Sequence, residues 1–388
     1  MTPARQVHED VIVLDTHLDT PALLIRPSFD IMARHDPALD YSQVDYPRMV
    51  EGGLDGGFWA IYTPQGPLTT DAYQAVRDTA ILRAVAIHEM VASHPDVFEL
   101  ATRPEDAARI VGEGKRIVYM SIENSYPLGE DISLLKTFYD LGVRMVGPVH
   151  FRNNQFGDSS TDPDGQQWHG LSPLGKALVA KANSLGMVLD GSHAHDDVVR
   201  QMIDLSKTPI ILSHSGVKAV FDHPRNIDDD LLRKLADSGG VIQINTYSSY
   251  LKKLPENPAR REAFVELMKE VGSPDDLSEA DYAKYIEKRR EIDAKFPPEQ
   301  ADFEDFMAQL MHALSVVGPE HVGIGPDWDG GGGVHGMEDI SALPRVTERL
   351  LAAGYTEADL ENIWSGNVLR LLGTAEAYAA SMRAGKEH

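Results

Sequence analysis

Residues Met187–His214 read MVLDGSHAHDDVVRQMIDLSKTPIILSH. An apolar run ending on His193 gives way to a polar break and the start of a helical pattern at DDVVRQM. A second apolar run, Pro209–His214, then also ends on a histidine. Outward from here the same unit recurs. Val11–Asp19, Gly57–Thr63, Arg116–Glu123 and Arg144–His150 precede it, and Gly240–Tyr247 and His321–Asp327 follow. Continuous apolar runs alternating with helices indicate a parallel sheet covered on both faces. Eight of them point to an α/β chain closed into a (β/α)8 TIM barrel.

The intervening segments support this. Asp71–Ala92 carries apolar residues at helical spacing, and Pro173–Leu185 follows Ser172, a good N-cap, with proline at the first helical position. DDDLLRKLADS, Asp228–Ser238, ends at Gly239, a stop signal. A length of 388 residues suits one barrel with insertions or two ordinary domains. With no low-complexity linker or long-period repeat, the expectation is a single domain over 1–388. Its longest gap, about 248–319 between the seventh and eighth runs, reads as a helical insertion. It lies either over or beside the barrel mouth, or as a peripheral hairpin away from it.

A formal net charge of -24 repels nucleic acid and anionic lipid, so neither is expected as a partner. No apolar run approaches membrane-spanning length. Without cysteine there are no disulfides, and any metal must be held by His, Asp and Glu. Met1–Asp10 shows no basic stretch followed by an apolar one, so the expected location is cytoplasmic. A chain starting after a removed signal would look the same.

The ionisable residues fall at the ends of these runs. DTHLD delivers His17 and Asp19, SIEN delivers Glu123, and GPVH delivers His150. LDGSH, ILSH and IGPDWDG deliver His193, His214 and Asp327. Barrel enzymes keep their active sites at the C-terminal ends of the strands. One buried histidine there is ordinarily a satisfied core residue, but such groups converging from six strands call for a cation. Imidazole and carboxylate without thiolate suit zinc, with manganese, iron and cobalt as alternatives. Three histidines and two carboxylates exceed one open catalytic zinc and suit two ions sharing a carboxylate.

DTHLDTP, GGFWAIY, IEN, LGVRMVGPVH, LSPLGKALV, LDGSH, ILSHSG, HPRNIDDDLL and VGIGPDWDG together resemble, in order, the motifs of the membrane dipeptidase family of the amidohydrolase superfamily, from about Val11 to Leu372. The resemblance implies two Zn2+ per chain. His17 and Asp19 would hold one ion, His193 and His214 the other, and Glu123 would bridge them. It further implies that His150 contacts the scissile carbonyl, Arg225 holds the substrate's C-terminal carboxylate, and Asp327 is the general acid/base. The implied reaction is dipeptide hydrolysis through a metal-bridging hydroxide, with L-Xaa-D-Xaa dipeptides among the substrates. A homodimer is the family-level expectation. The rivals are a hydrolase of another small amide, lactone or ester on the same scaffold, and a non-catalytic metal-binding barrel.

Some positions depart from the pattern or compete within it. Asn124-Ser125-Tyr126, FRNNQFGD after His150, and Gly330–Gly333 differ from the family, which bears on the preferred side chain. His193 is preferred over His195, which belongs to a loop and helix start. Asp15 reads as a structural acceptor, and Asp327 is chosen over Asp329. Tyr250, with Tyr247, follows the seventh run. It is carried as a substrate contact against the alternative of an ordinary rim aromatic.

Overall fold

The computed structural model describes residues 2–274 and 277–385. Among the described residues there are ten strands: β1 (Leu14–Leu18), β2 (Gly56–Ile61), β3 (Phe98–Leu100), β4 (Arg116–Ile122), β5 (Val143–Val146), β6 (Val188–Leu189), β7 (Ile211–Val217), β8 (Asn226–Ile227), β9 (Val241–Ile244) and β10 (Val322–Ile324). Every pairing between them is parallel. One sheet runs β1-β2-β4-β5-β6 and the other β10-β9-β7. Parallel bridges Asp190↔Ile211 and Leu18↔Trp328 join the two at both seams. The circuit closes as an eight-stranded barrel from the eight expected runs. The short β3 and β8 are additions, pairing outside the ring with β4 and β7.

Side-chain alternation divides the core. On β4, Ile117 and Tyr119 belong to one buried cluster with Leu14, Phe58, Met145, Val188, Ile211 and Val241. Val118, Met120 and Ile122 belong to the other, which packs under the surrounding helices. The first cluster also takes in Val368, Leu371, Leu372 and Ala375 of the helix Asn367–Ala384. That helix therefore packs against the N-terminal ends of the strands and leaves the opposite end for the site.

Helices form where the local signals place them. Pro173–Leu185 is capped by Ser172, whose side chain accepts from the Gly175 amide at 3.0 Å. Asp229–Asp237 is capped by Asp228, accepting from Leu231 N at 2.7 Å. The 248–319 segment holds helices Ser248–Leu251, Pro258–Val271, Glu279–Lys295 and Phe303–Val317. It is fastened to the segment after β1. The Arg26 guanidinium donates to Leu277 O at 2.7 Å and lies 4.0 Å over the Tyr282 ring. Arg289 lies 3.6 Å over Tyr41, whose hydroxyl donates to Asp293 at 2.5 Å. The insertion thus sits beside the barrel mouth. It walls a cavity of about 600 Å³ that shares Asp329 and Gly330 with the site. Among the described residues, no helix is long and apolar enough to cross a membrane.

Candidate metal centre and active site

Two strand irregularities aim the ligands. Between Asp15 and Leu18, β1 has one more residue than β2 has between Gly57 and Trp59. Likewise β7 runs from Leu212 to Ser215 while β9 advances only from Ile242 to Ile244. An extra residue breaks strict alternation and re-aims side chains, a device common at barrel rims. His17 and His214 lie within these two bulges. On β4 no irregularity is needed: Glu123 continues the inward face of Ile117, Tyr119 and Ser121.

The result is a knot of imidazoles and carboxylates. Glu123 Oε1 lies 2.9 Å from His193 Nε2, 3.4 Å from His214 Nε2, 3.6 Å from His17 Nε2 and 3.7 Å from His150 Nε2. His17 Nε2 is 3.5 Å from Asp19 Oδ2 and 3.8 Å from Asp327 Oδ1. His193 Nε2 and His214 Nε2 face each other at 2.8 Å. All of these except the partly exposed His150 are buried. Three overlapping sets have ligand atoms within 4.8 Å of one another: His17, Glu123 and His214; Glu123, His150 and His193; His17, Asp19 and Asp327. His17 Nε2 and Asp19 Oδ1 are buried without a hydrogen-bond partner. Converging, unsatisfied donor atoms of hard and borderline type fit a divalent cation; Glu123 and His17 each belong to two of the three sets, and of these two only the carboxylate offers a second ligand atom on the same face. His150 and Asp327 are close enough to ligate as well.

The protonation states show what the cluster costs without a cation. Burial raises the Glu123 pKa well above the usual carboxylate range, and Asp19 and Asp327 add to this against the opposing His17. Burial also lifts Asp327 to about 7. For His17 burial pulls downward, but Glu123, Asp19 and Asp327 outweigh it and raise the group to about 10. Burial drives His193 and His214 well below their ordinary value and His150 to about 3, so these rings are neutral. Neutral imidazoles are the form that ligates metal.

The backbone is strained at the same place. His193, Asp327 and Asp329 adopt positive φ of 66°, 72° and 64°. Such conformations in non-glycine residues cluster at functional sites. Asp327 is held there by its carbonyl, which accepts from the amides of Gly330 at 3.2 Å and Gly332 at 2.8 Å. Sequence reasoning missed what secures this turn. Asp329 accepts from Thr20 Oγ1 at 2.7 Å and from Gln43 N at 2.6 Å, and Gln43 Nε2 donates to Gly332 O at 2.9 Å.

A Cβ on Gly330 would fall 2.0 Å from Asp19 Oδ2 and 2.3 Å from Asp327 Oδ1. Both are movable side-chain ends, so the backbone need not shift, but the two carboxylates must. Gly330→Ala is therefore expected to melt near the wild-type temperature and lose at least about tenfold in kcat/KM, the scale of a sub-ångström misplacement. Unchanged kinetics would show that these carboxylates have room to spare.

Of the remaining expected residues, Tyr250 borders and Arg225 does not border a cavity of about 200 Å³ lined by Asp19, Glu123, His150, His193, Tyr247, Tyr250 and Asp327, together with Tyr62 and Phe151. Tyr247 and Tyr250 stack, with centroids 4.4 Å apart. Arg225 lies over the Tyr250 ring, its guanidinium carbon 5.3 Å from the ring centroid. It is buried, donating to His214 O at 2.9 Å, and has no carboxylate partner among the described residues. His195 is elsewhere, capping the helix Asp196–Leu205 by accepting from Asp197 N at 3.1 Å. Asp15 Oδ1 accepts from the His17 amide at 2.8 Å beneath the cluster.

The family model for membrane dipeptidase (peptidase family M19) matches residues 1–386. The chain belongs to the membrane dipeptidase family. It is similar to dipeptidase aclJ of Aspergillus oryzae, 30% identical over 350 residues, covering 88% of this chain and 72% of that protein. Among solved structures it resembles the probable dipeptidase PvdM from Pseudomonas aeruginosa, with TM-score 0.80 and 30% identity over 97% and 98% of the two chains. It also resembles a metallopeptidase from Rhodobacter sphaeroides liganded with a phosphinate mimic of L-Ala-D-Ala. That match has TM-score 0.74 and 25% identity, over 94% of this chain and 99% of that one. The family and these neighbours make the chain a metallo-dipeptidase on a TIM-barrel fold.

Proposed function

We propose that this dipeptidase hydrolyses the amide bond of small dipeptides, L-Xaa-D-Xaa among them, at a pair of zinc ions. The carrying observation is the convergence of His17, His193 and His214 on a single buried carboxylate, Glu123, with Asp19 beside His17. His17 and Asp19 would hold one ion, His193 and His214 the other, and Glu123 both. Such a pair would lower the pKa of a shared water and polarise the scissile carbonyl.

The chain's own residues supply the rest. His150, partly exposed at the cavity wall and neutral, would donate a hydrogen bond to the carbonyl oxygen as negative charge develops there. Asp327 takes a proton from the attacking water and passes it to the leaving nitrogen. The Arg225 guanidinium, buried without an anionic partner, receives the C-terminal carboxylate beside Tyr250 and so limits substrate length. The likeness to the Rhodobacter sphaeroides peptidase with its L-Ala-D-Ala mimic supports a D-residue at that end.

The test is a substrate panel of L-Ala-D-Ala, L-Ala-L-Ala, a tripeptide, a lactone and a phosphotriester, with and without chelator. Chelator-sensitive hydrolysis of the dipeptides above all others is expected. Turnover of the lactone or phosphotriester alone would replace the reading.

A further inference from the structure

We propose that Asp190 and Ser213 form a positioning relay that fixes the tautomer of His214 and keeps its Nε2 lone pair turned into the metal centre. The inference rests on the assignment of His214 as a metal ligand and concerns two residues with no role in the reaction described above.

The relay is a chain of hydrogen bonds with one consistent proton arrangement. Asp190 follows β6 and is buried. Its Oδ1 accepts from the amides of Ser192 and Ser213, each at 2.9 Å. Its Oδ2 accepts from the Ser213 hydroxyl at 2.5 Å. Both carboxylate oxygens are thus occupied as acceptors, Oδ1 by two amides and Oδ2 by the hydroxyl. The single Ser213 proton is therefore committed to Asp190. Ser213 Oγ also lies 2.9 Å from His214 Nδ1. Having spent its proton, the hydroxyl can only accept there, so Nδ1 carries the hydrogen. In a neutral imidazole the other nitrogen is then the lone-pair atom. That atom, Nε2, faces Glu123 Oε1 at 3.4 Å and His193 Nε2 at 2.8 Å.

The main chain of the same residue is also held. The His214 amide donates to Ser192 Oγ at 3.0 Å. The β7 bulge makes the arrangement feasible, because in a strictly alternating strand adjacent Ser213 and His214 would point to opposite faces. His193 differs: its Nδ1 is buried with no partner. Of the two histidines assigned to one ion, only His214 is locked from behind.

Outer hydrogen-bond partners of metal-bound histidines orient the ring and raise its basicity, and their loss typically weakens metal binding by about 10–100-fold. Selective 15N-histidine NMR of the metal-free wild-type protein at neutral pH reads the tautomer directly. His214 protonated at Nδ1 is expected, and protonation at Nε2 overturns the relay. Competitive chelator titration of Ser213→Ala and Asp190→Asn should then show the ion at His193 and His214 weakened by about 10–100-fold, while the ion at His17 and Asp19 is retained. Ser213→Thr, which keeps the hydroxyl, should restore wild-type affinity. Equal weakening of both ions, or none, contradicts the relay. The tautomer measurement needs neither turnover nor bound metal, so failure of the dipeptidase reading and failure of the relay are distinguishable.

Discussion

Asp327→Asn is expected to keep the metals and lose about two orders of magnitude or more in kcat, the contribution of a positioned general acid/base. The substitution preserves shape, and asparagine tolerates the left-handed backbone that Asp327 adopts at φ 72°. The turn itself is held by main-chain bonds from Gly330 and Gly332 that the side chain does not supply. What the amide cannot do is accept and release a proton. Burial lifts Asp327 to about 7 in the metal-free site, where a group can exchange protons near neutral pH. The competing role is ligation, since Asp327 stands with His17 and Asp19 in one potential metal set. Elemental analysis beside kinetics separates the two. Intact metal with lost turnover supports proton transfer, whereas lost metal with normal turnover per remaining ion makes Asp327 a ligand.

Arg225→Ala should lower kcat/KM for free dipeptides by about 100-fold or more, equivalent to about 3 kcal/mol. A buried guanidinium without an anionic partner among the described residues is costly unless a ligand completes it. Arg225 packs by Tyr250, which lines the cavity and offers an aromatic face to both the guanidinium and a substrate. Dipeptide amides lack the carboxylate, so they should be poor substrates of the wild type and lose little further on mutation. Comparing a dipeptide and its amide on both proteins gives a four-point cycle. Equal losses for the two substrates would mean that Arg225 supports the barrel and does not read the carboxylate.

The alternation of apolar runs with helices made the barrel legible, because parallel strands buried on both faces need no subtler pattern. Ligands at strand ends were legible for the same reason: a strand end names its residue. The bulges in β1 and β7 were not. Strict period-two reasoning puts His17 and Asp19 on one face, yet the extra residue between Asp15 and Leu18 sets the actual direction of His17. Pairing register depends on the neighbouring strand and leaves no local mark. Asp190, Ser213 and Gln43 are not legible in the sequence because they act through other residues, and a polar residue near a strand end has no motif of its own. The place of the 248–319 insertion was open for a similar reason. Its position is decided by contacts of Arg26 with Leu277 and Tyr282 and of Tyr41 with Arg289, between residues 248 to 256 apart in sequence, which composition cannot connect. The helix Asn367–Ala384 against the barrel floor was likewise unanticipated.

The most direct test of the account is zinc titration of metal-depleted enzyme while L-Ala-D-Ala hydrolysis is followed. With Glu123 serving both ions, activity should be absent without metal and reach its plateau at about two zinc ions per chain. Full activity at one ion per chain, with a second bound ion adding nothing, would contradict the shared-carboxylate centre.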